Sequence, residues 1–182
     1  TTTVAAAGDL DGDGLSDIYF VTGWGAHDMI GWNDEGTEFR YGSEGVPSES
    51  AGQTVLVLLE DVDLDGDLDV FTRSSQKEGI VGHLFRNKGD ESFEDATAFL
   101  PPTLTYGHAE FGDVDGDGDP DLAMTGTLDG EVAQGLLLNH GAAGFLWHQE
   151  LPNPNGHGGS VFFGDFDDDS DLDVLNTAWH DA

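Results

Sequence analysis

The sequence predicts an all-β fold, a β-propeller built from 52-residue, four-stranded blades with an acidic loop between the first two strands of each blade. Three observations carry this expectation. The segments GDLDGDGLSD, EDVDLDGDLD, GDVDGDGDPD and GDFDDDSDLD have their first aspartates at Asp9, Asp61, Asp113 and Asp165, each 52 residues after the last. Asn33, Asn87 and Asn139 each stand six positions ahead of a phenylalanine (Phe39, Phe93, Phe145), with Gly36, Gly89 or Gly141 between. Short apolar stretches flank every acidic segment, and none shows sustained 3.6-residue periodicity. A period of this length marks propeller blades or a similar array.

Each repeat reads in the same order. TVAAA, TVLVLL, HAEF and SVFF lead into the acidic loops, and DIYFV, DVFT, DLAMT and DVLNT leave them. These are the first two strands. The Asn–Gly–Phe landmark, as in LFRNKGDESF and LLLNHGAAGF, is a strand, a turn and a strand. The chain is then one domain over 1–182, with repeats of about 1–52, 53–104 and 105–156 and the first half of a fourth over 157–182. That last half-blade is expected to leave an open edge beside Val174, Leu175 and Trp179. An open edge invites self-association, or completion by flanking repeats.

Charge narrows the function. The chain has 37 acidic residues against 5 Lys and Arg, a formal net charge of -32. Nucleic-acid binding is excluded as a class, because phosphate contacts need cations, and an anionic membrane surface repels such a chain. There is no cysteine, so disulfides, zinc thiolates and thiol catalysis are out. No apolar run approaches a membrane span, and Thr1 opens on small and polar residues rather than a signal peptide. With 37% hydrophobic and 10% aromatic residues the chain can fold, provided something neutralises the acids.

The acidic loops supply the means. Each has aspartates at positions 1, 3, 5 and 9: Asp9, Asp11, Asp13 and Asp17; Asp61, Asp63, Asp65 and Asp69; Asp113, Asp115, Asp117 and Asp121; Asp165, Asp167, Asp169 and Asp173. Alternate residues on a curved loop aim at one centre, and position 7 adds a backbone carbonyl from Leu15, Asp67, Asp119 or Asp171. Position 6 is Gly14, Gly66 or Gly118 where the turn is sharp, and Ser170 in the fourth loop, where strain is expected. A pair of carboxylates at 4 Å costs about 4 kcal/mol at an effective dielectric near 20. Either a cation enters or some acids take up protons. An all-oxygen, flexible donor set selects Ca²⁺, about four per chain, over Mg²⁺ and transition metals. An EF-hand would need Glu at position 12, where Phe20, Thr72, Met124 and Asn176 stand instead. Solvated acidic turns would not recur in register with a structural repeat.

The strings FGDVDGDGDPDLAM, LEDVDLDGDLDVF and GDLDGDGLSDIYF resemble the FG-GAP/VCBS family of calcium-binding propeller repeats, related to the integrin α-subunit head. LFRNKGDESFEDAT resembles the second half of such repeats in the cartilage acidic protein group. The resemblance implies a propeller with Ca²⁺ in each loop, held by the aspartates at positions 1, 3, 5 and 9. The family includes adhesion heads, secreted scaffolds and non-catalytic domains attached to enzymes, so it does not fix a function. The leading expectation is an extracellular or cell-surface module for adhesion or for binding a protein or glycan ligand. A structural subunit of a filament or surface assembly is the alternative, and a non-catalytic appendage of a carbohydrate-active enzyme the third reading.

No catalytic residue is expected. Neither Ser nor His recurs in a triad-like setting, and a carboxylate tied to Ca²⁺ is a poor general acid. His108 and His157 precede acidic loops and either line the channel or serve structure. His27 with Trp24, and His180 with Trp179, form either an aromatic recognition patch or gap-filling contacts between blades.

Overall fold

The computed structural model describes residues 4–21, 27–43, 45–46, 53–76, 79–102, 104–128, 131–152 and 159–177. Among these the fold is all-β, with two short 3-10 turns at Thr97–Phe99 and Gly141–Ala143. The first sheet holds β1 (Val4–Gly8), β2 (Asp17–Val21), β3 (Met29–Trp32) and β4 (Arg40–Gly42). The second holds β5 (Gln53–Glu60), β6 (Asp69–Gln76), β7 (Gly79–Asn87) and β8 (Phe93–Asp95). The third holds β9 (Leu104–Gly112), β10 (Asp121–Leu128), β11 (Glu131–Asn139) and β12 (Phe145–Glu150). The fourth holds β13 (Val161–Gly164) and β14 (Asp173–Asn176). Within each sheet the strand order follows the chain and every pairing is antiparallel.

The register repeats as strictly as the sequence. The residue before each acidic loop pairs with the aspartate at its position 9: Gly8 with Asp17, Glu60 with Asp69, Gly112 with Asp121 and Gly164 with Asp173. The nine-residue loop is therefore the connection of a β-hairpin, closed at one fixed rung. Because strand side chains alternate between faces, this rung decides which acids turn inward. In β2, for example, Asp17, Tyr19 and Val21 are buried and the residues between them are not.

The chain divides into two compact units, Thr1–Thr97 and Ala98–Ala182. In the first, Leu10, Tyr19, Val21, Ile30 and Trp32 of the first repeat pack with Val57, Val70 and Phe85 of the second. Each fully buried side chain of this size contributes about 1.5–3 kcal/mol. A polar clamp joins the same two sheets: the buried Asp28 carboxylate accepts from Thr54 Oγ1 at 2.9 Å and from Tyr19 OH at 3.3 Å. Burial and the Asp28 charge hold the Tyr19 phenol far above its ordinary range, so it stays a donor. In the second unit, Ala123, Leu136, Leu151 and Val161 form a core, with Val114, Phe163 and Val174 against it.

The two units use one packing device. A Cβ at Gly8 would stand 2.5 Å from Leu68 Cδ1, and a Cβ at Gly112 would stand 3.0 Å from Leu172 Cδ1. In each unit the position-8 leucine of the later loop fills the space left by the glycine that leads into the earlier one. At the end of the second unit, Phe162 and Leu175 of the two-stranded sheet are 40% and 48% exposed. Trp179, placed beside this edge by the sequence reading, lies outside the described residues, as do Trp24, His157 and His180.

Candidate metal centre

The four acidic loops share one backbone course. Positions 4 and 6 both adopt positive φ in every loop: Gly12 (76°) and Gly14 (88°), Leu64 (59°) and Gly66 (100°), Gly116 (76°) and Gly118 (100°), Asp168 (64°) and Ser170 (78°). Glycine is favoured there because a Cβ crowds the neighbouring carbonyl in this conformation. Ser170 keeps the turn that the glycines make, so the strain expected at that position is present. Leu64 and Asp168 at position 4 add strain that the sequence reading did not anticipate.

This course turns backbone N–H groups inward. The position-1 carboxylate caps the loop, with Asp9 accepting from Gly12 and Gly14, both at 2.9 Å. Asp113 accepts from Gly116 at 2.8 Å and Gly118 at 3.1 Å. Where position 4 is not glycine, position 5 takes over the first bond: Asp65 donates to Asp61 and Asp169 to Asp165, each at 3.1 Å. The position-5 carboxylate accepts from the N–H of position 7, as Asp13 does from Leu15 at 2.7 Å. Asp67, Asp119 and Asp171 donate in the same way to Asp65, Asp117 and Asp169.

The position-9 aspartate is the buried member. Asp17, Asp69 and Asp121 are each 1% exposed. One oxygen of each accepts from the N–H at position 2, namely Leu10 at 2.8 Å, Val62 at 3.0 Å and Val114 at 3.0 Å. The other accepts at 2.8 Å from the backbone of the landmark asparagine: Asn33, Asn87 or Asn139. The asparagine side chain completes a clamp. Its Nδ2 donates to the carbonyl of position 8 (Ser16, Leu68 or Pro120), and its Oδ1 accepts from Gly36, Gly89 or Gly141. Asn87 Nδ2 also donates to the Leu10 carbonyl at 2.7 Å, tying the second sheet to the first loop. The two repeating features of the sequence are thus one structure, with the third strand holding the buried acid of the loop. In the sequence the asparagines mark a strand and a turn, without the clamp. Their shared 52- to 54-residue spacing with the loops was the available signal.

Three carboxylate oxygens converge in each loop, all within 4.8 Å of one another: Asp9, Asp11 and Asp13; Asp61, Asp63 and Asp69; Asp113, Asp115 and Asp121; Asp165, Asp167 and Asp173. Oxygens bound to one calcium ion stand about 2.3–2.6 Å from it, hence at most about 5 Å apart. The donor sets fit. Of the expected ligands, Asp17 stands outside the convergent group in the first loop, and Asp65, Asp117 and Asp169 stand outside it in the others.

Burial pushes the Asp69 carboxyl up to about 7, against the stabilising N–H groups of Asn87 and Val62. Burial likewise raises Asp121, Asp63 and Asp11. Asp117 and Asp119 form a hydrogen-bonded pair that holds Asp119 up and Asp117 down, and Asp171 and Asp169 repeat it. Asp11, Asp63, Asp69, Asp119, Asp121 and Asp171 therefore hold a proton more readily than a free aspartate does. Among the described residues no hydrogen-bond donor reaches the buried Asp63 Oδ1, an oxygen suited to ligate a cation.

Among the histidines, His108 is half-buried, with its ring centroid 5.1 Å from that of Phe162 and its backbone N–H donated to Thr125 Oγ1. It serves packing within the second unit. The aromatic patch around Trp24 and Trp179 lies outside the described residues.

Successive antiparallel sheets, each led by an acidic hairpin loop whose carboxylates can hold a metal ion, define a β-repeat protein. Residues 61–124 match the FG-GAP-like repeat. The matched stretch takes in the second and third loops and the sheet between them. It points to a β-propeller-type module. No curated protein matches the chain as a relative.

Proposed function

We propose that this chain is a calcium-stabilised β-propeller module that binds a protein or glycan partner outside the cell or at its surface, without catalysis. One observation carries the reading: three carboxylate oxygens converge within 4.8 Å at the same hairpin of all four sheets. The FG-GAP-like match and the buried Asp63 oxygen that no described donor reaches support it. The three four-stranded sheets serve as blades and the two-stranded sheet as part of a fourth. Aspartates at positions 1, 3, 5 and 9 and the carbonyls of Leu15, Asp67, Asp119 and Asp171 ligate about four Ca²⁺. Among the described residues no helix is long and apolar enough to cross a membrane. Extracellular calcium, at millimolar level, would fill even weak sites. Calorimetry of calcium binding tests the reading. About four sites per chain in protein first stripped of metal is the expected result, and finding none would overturn the reading. Partner binding is tested on protein and glycan arrays, where signal lost in EDTA identifies a calcium-dependent ligand. Light scattering tests self-association through the β14 edge.

A further inference from the structure

A guanidinium stands beside the second loop. Arg86 stands on β7, directly before Asn87, where the first and third repeats have Trp32 and Leu138. Its Nε lies 3.2 Å from Asp63 Oδ2, with the two side chains 30% and 22% exposed. Asp63 belongs to the convergent group with Asp61 and Asp69. One oxygen of Asp63 thus faces a cation of the protein, and the other is buried where no described donor reaches it. The ion pairs of Arg40 and Lys88 are different in kind, because Asp34, Glu91 and Glu94 lie outside the acidic loops. Residues 98–182 contain no Lys or Arg at all.

A guanidinium keeps its charge at any ordinary pH. Before metal binds, it offsets part of the repulsion among Asp61, Asp63 and Asp69. After metal binds, it repels the ion across a single carboxylate. Both effects shrink the gain from binding. Resting on the calcium reading above, we infer that Arg86 is a built-in counter-ion that lowers the calcium affinity of the second loop and keeps that loop ordered when empty. The second site then fills at a higher calcium level than the third, although the two have the same aspartates at positions 1, 3, 5, 7 and 9.

The test resolves sites within the full chain. Calcium is added while the amide resonances of Gly14, Gly66 and Gly118 are followed, one for each of the first three loops. Gly66 is expected to respond at about tenfold higher calcium than Gly118. Arg86→Leu, which copies the third repeat, is expected to bring the Gly66 midpoint down about tenfold and leave Gly118 in place. In chelator the same variant is expected to lose amide protection at Gly66, the opposite direction. Arg86→Gln removes the charge with less change of shape and is expected to behave alike, while Lys88→Gln leaves every midpoint unchanged. A Gly66 midpoint equal to that of Gly118 in the unaltered protein overturns the inference. So does a shift in Arg86→Leu that is equal at all three glycines. If no glycine responds to calcium, the calcium reading itself has failed, which is a different outcome.

Discussion

The third and fourth loops sit in the same compact unit and carry the same four aspartates, yet they are built to different standards. The third has glycine at both left-handed positions, Gly116 and Gly118, whereas the fourth has Asp168 and Ser170 there. In the third, Asp121 is 1% exposed and accepts from both Val114 and Asn139. In the fourth, Asp173 is half-buried, and its described backbone donor is Phe166. The convergent oxygens are alike, so the ligand string alone does not set the quality of a site. Its backbone course and the strand behind its buried acid do.

Calcium removal should have the largest effect and should separate the two loops. On the proposed reading, each filled site would stabilise the fold by about 2.7 kcal/mol at a hundredfold excess of calcium over Kd. Chelation should lower the Tm sharply by calorimetry. Amide exchange in chelator should then release β14 before β10. If melting is the same in EDTA and in millimolar Ca²⁺, the metal has no stabilising role.

Asn139→Ala would convert the third loop toward the fourth. It removes the buried bond from Nδ2 to the Pro120 carbonyl and the part-buried one from the Gly141 N–H to Oδ1. Leaving buried partners unsatisfied costs about 1–3 kcal/mol each. We expect about 2–3 kcal/mol lost by urea denaturation and weaker calcium binding in the third loop. A neutral result would make the asparagine clamp incidental.

Exchanging the turn residues gives a smaller and reciprocal effect. A Cβ at Gly118 meets nothing within 4 Å, so Gly118→Ser tests the φ of 100° and not space. It should cost about 1 kcal/mol, and Ser170→Gly should return about as much. Equal and opposite Tm shifts confirm that φ, not side-chain contact, distinguishes the loops.

A further effect is on pH, and its sign depends on metal. Asp69 has an ordinary value of 3.8 and is pushed up to about 7 by burial. Raised in the fold, it contributes stability that is full below about 4 and is lost as pH rises through 7. In chelator, Tm should therefore rise as pH falls from 7.5 to 5, and Asp121, also raised by burial, adds to the trend. Asp69→Asn should flatten it. With calcium bound the slope should reverse, because the ion holds the carboxylates ionised.

The sequence by itself determined the strands, the hairpin loops and their aspartates, because all of these are local. Nine residues encode two left-handed turns and a cluster of carboxylates, and the alternating stretches on either side encode strands. The tertiary structure alone decided what stands behind each cluster. Asn139 reaches Asp121 across 18 residues, and Asn87 reaches Leu10 across 77. Arg86 meets Asp63, and Asp28 meets Thr54, only because sheet register and packing bring them together. A hydrogen bond or ion pair between distant strands leaves no pattern within either strand. Only the pairing of strands and the stacking of sheets could place those partners face to face.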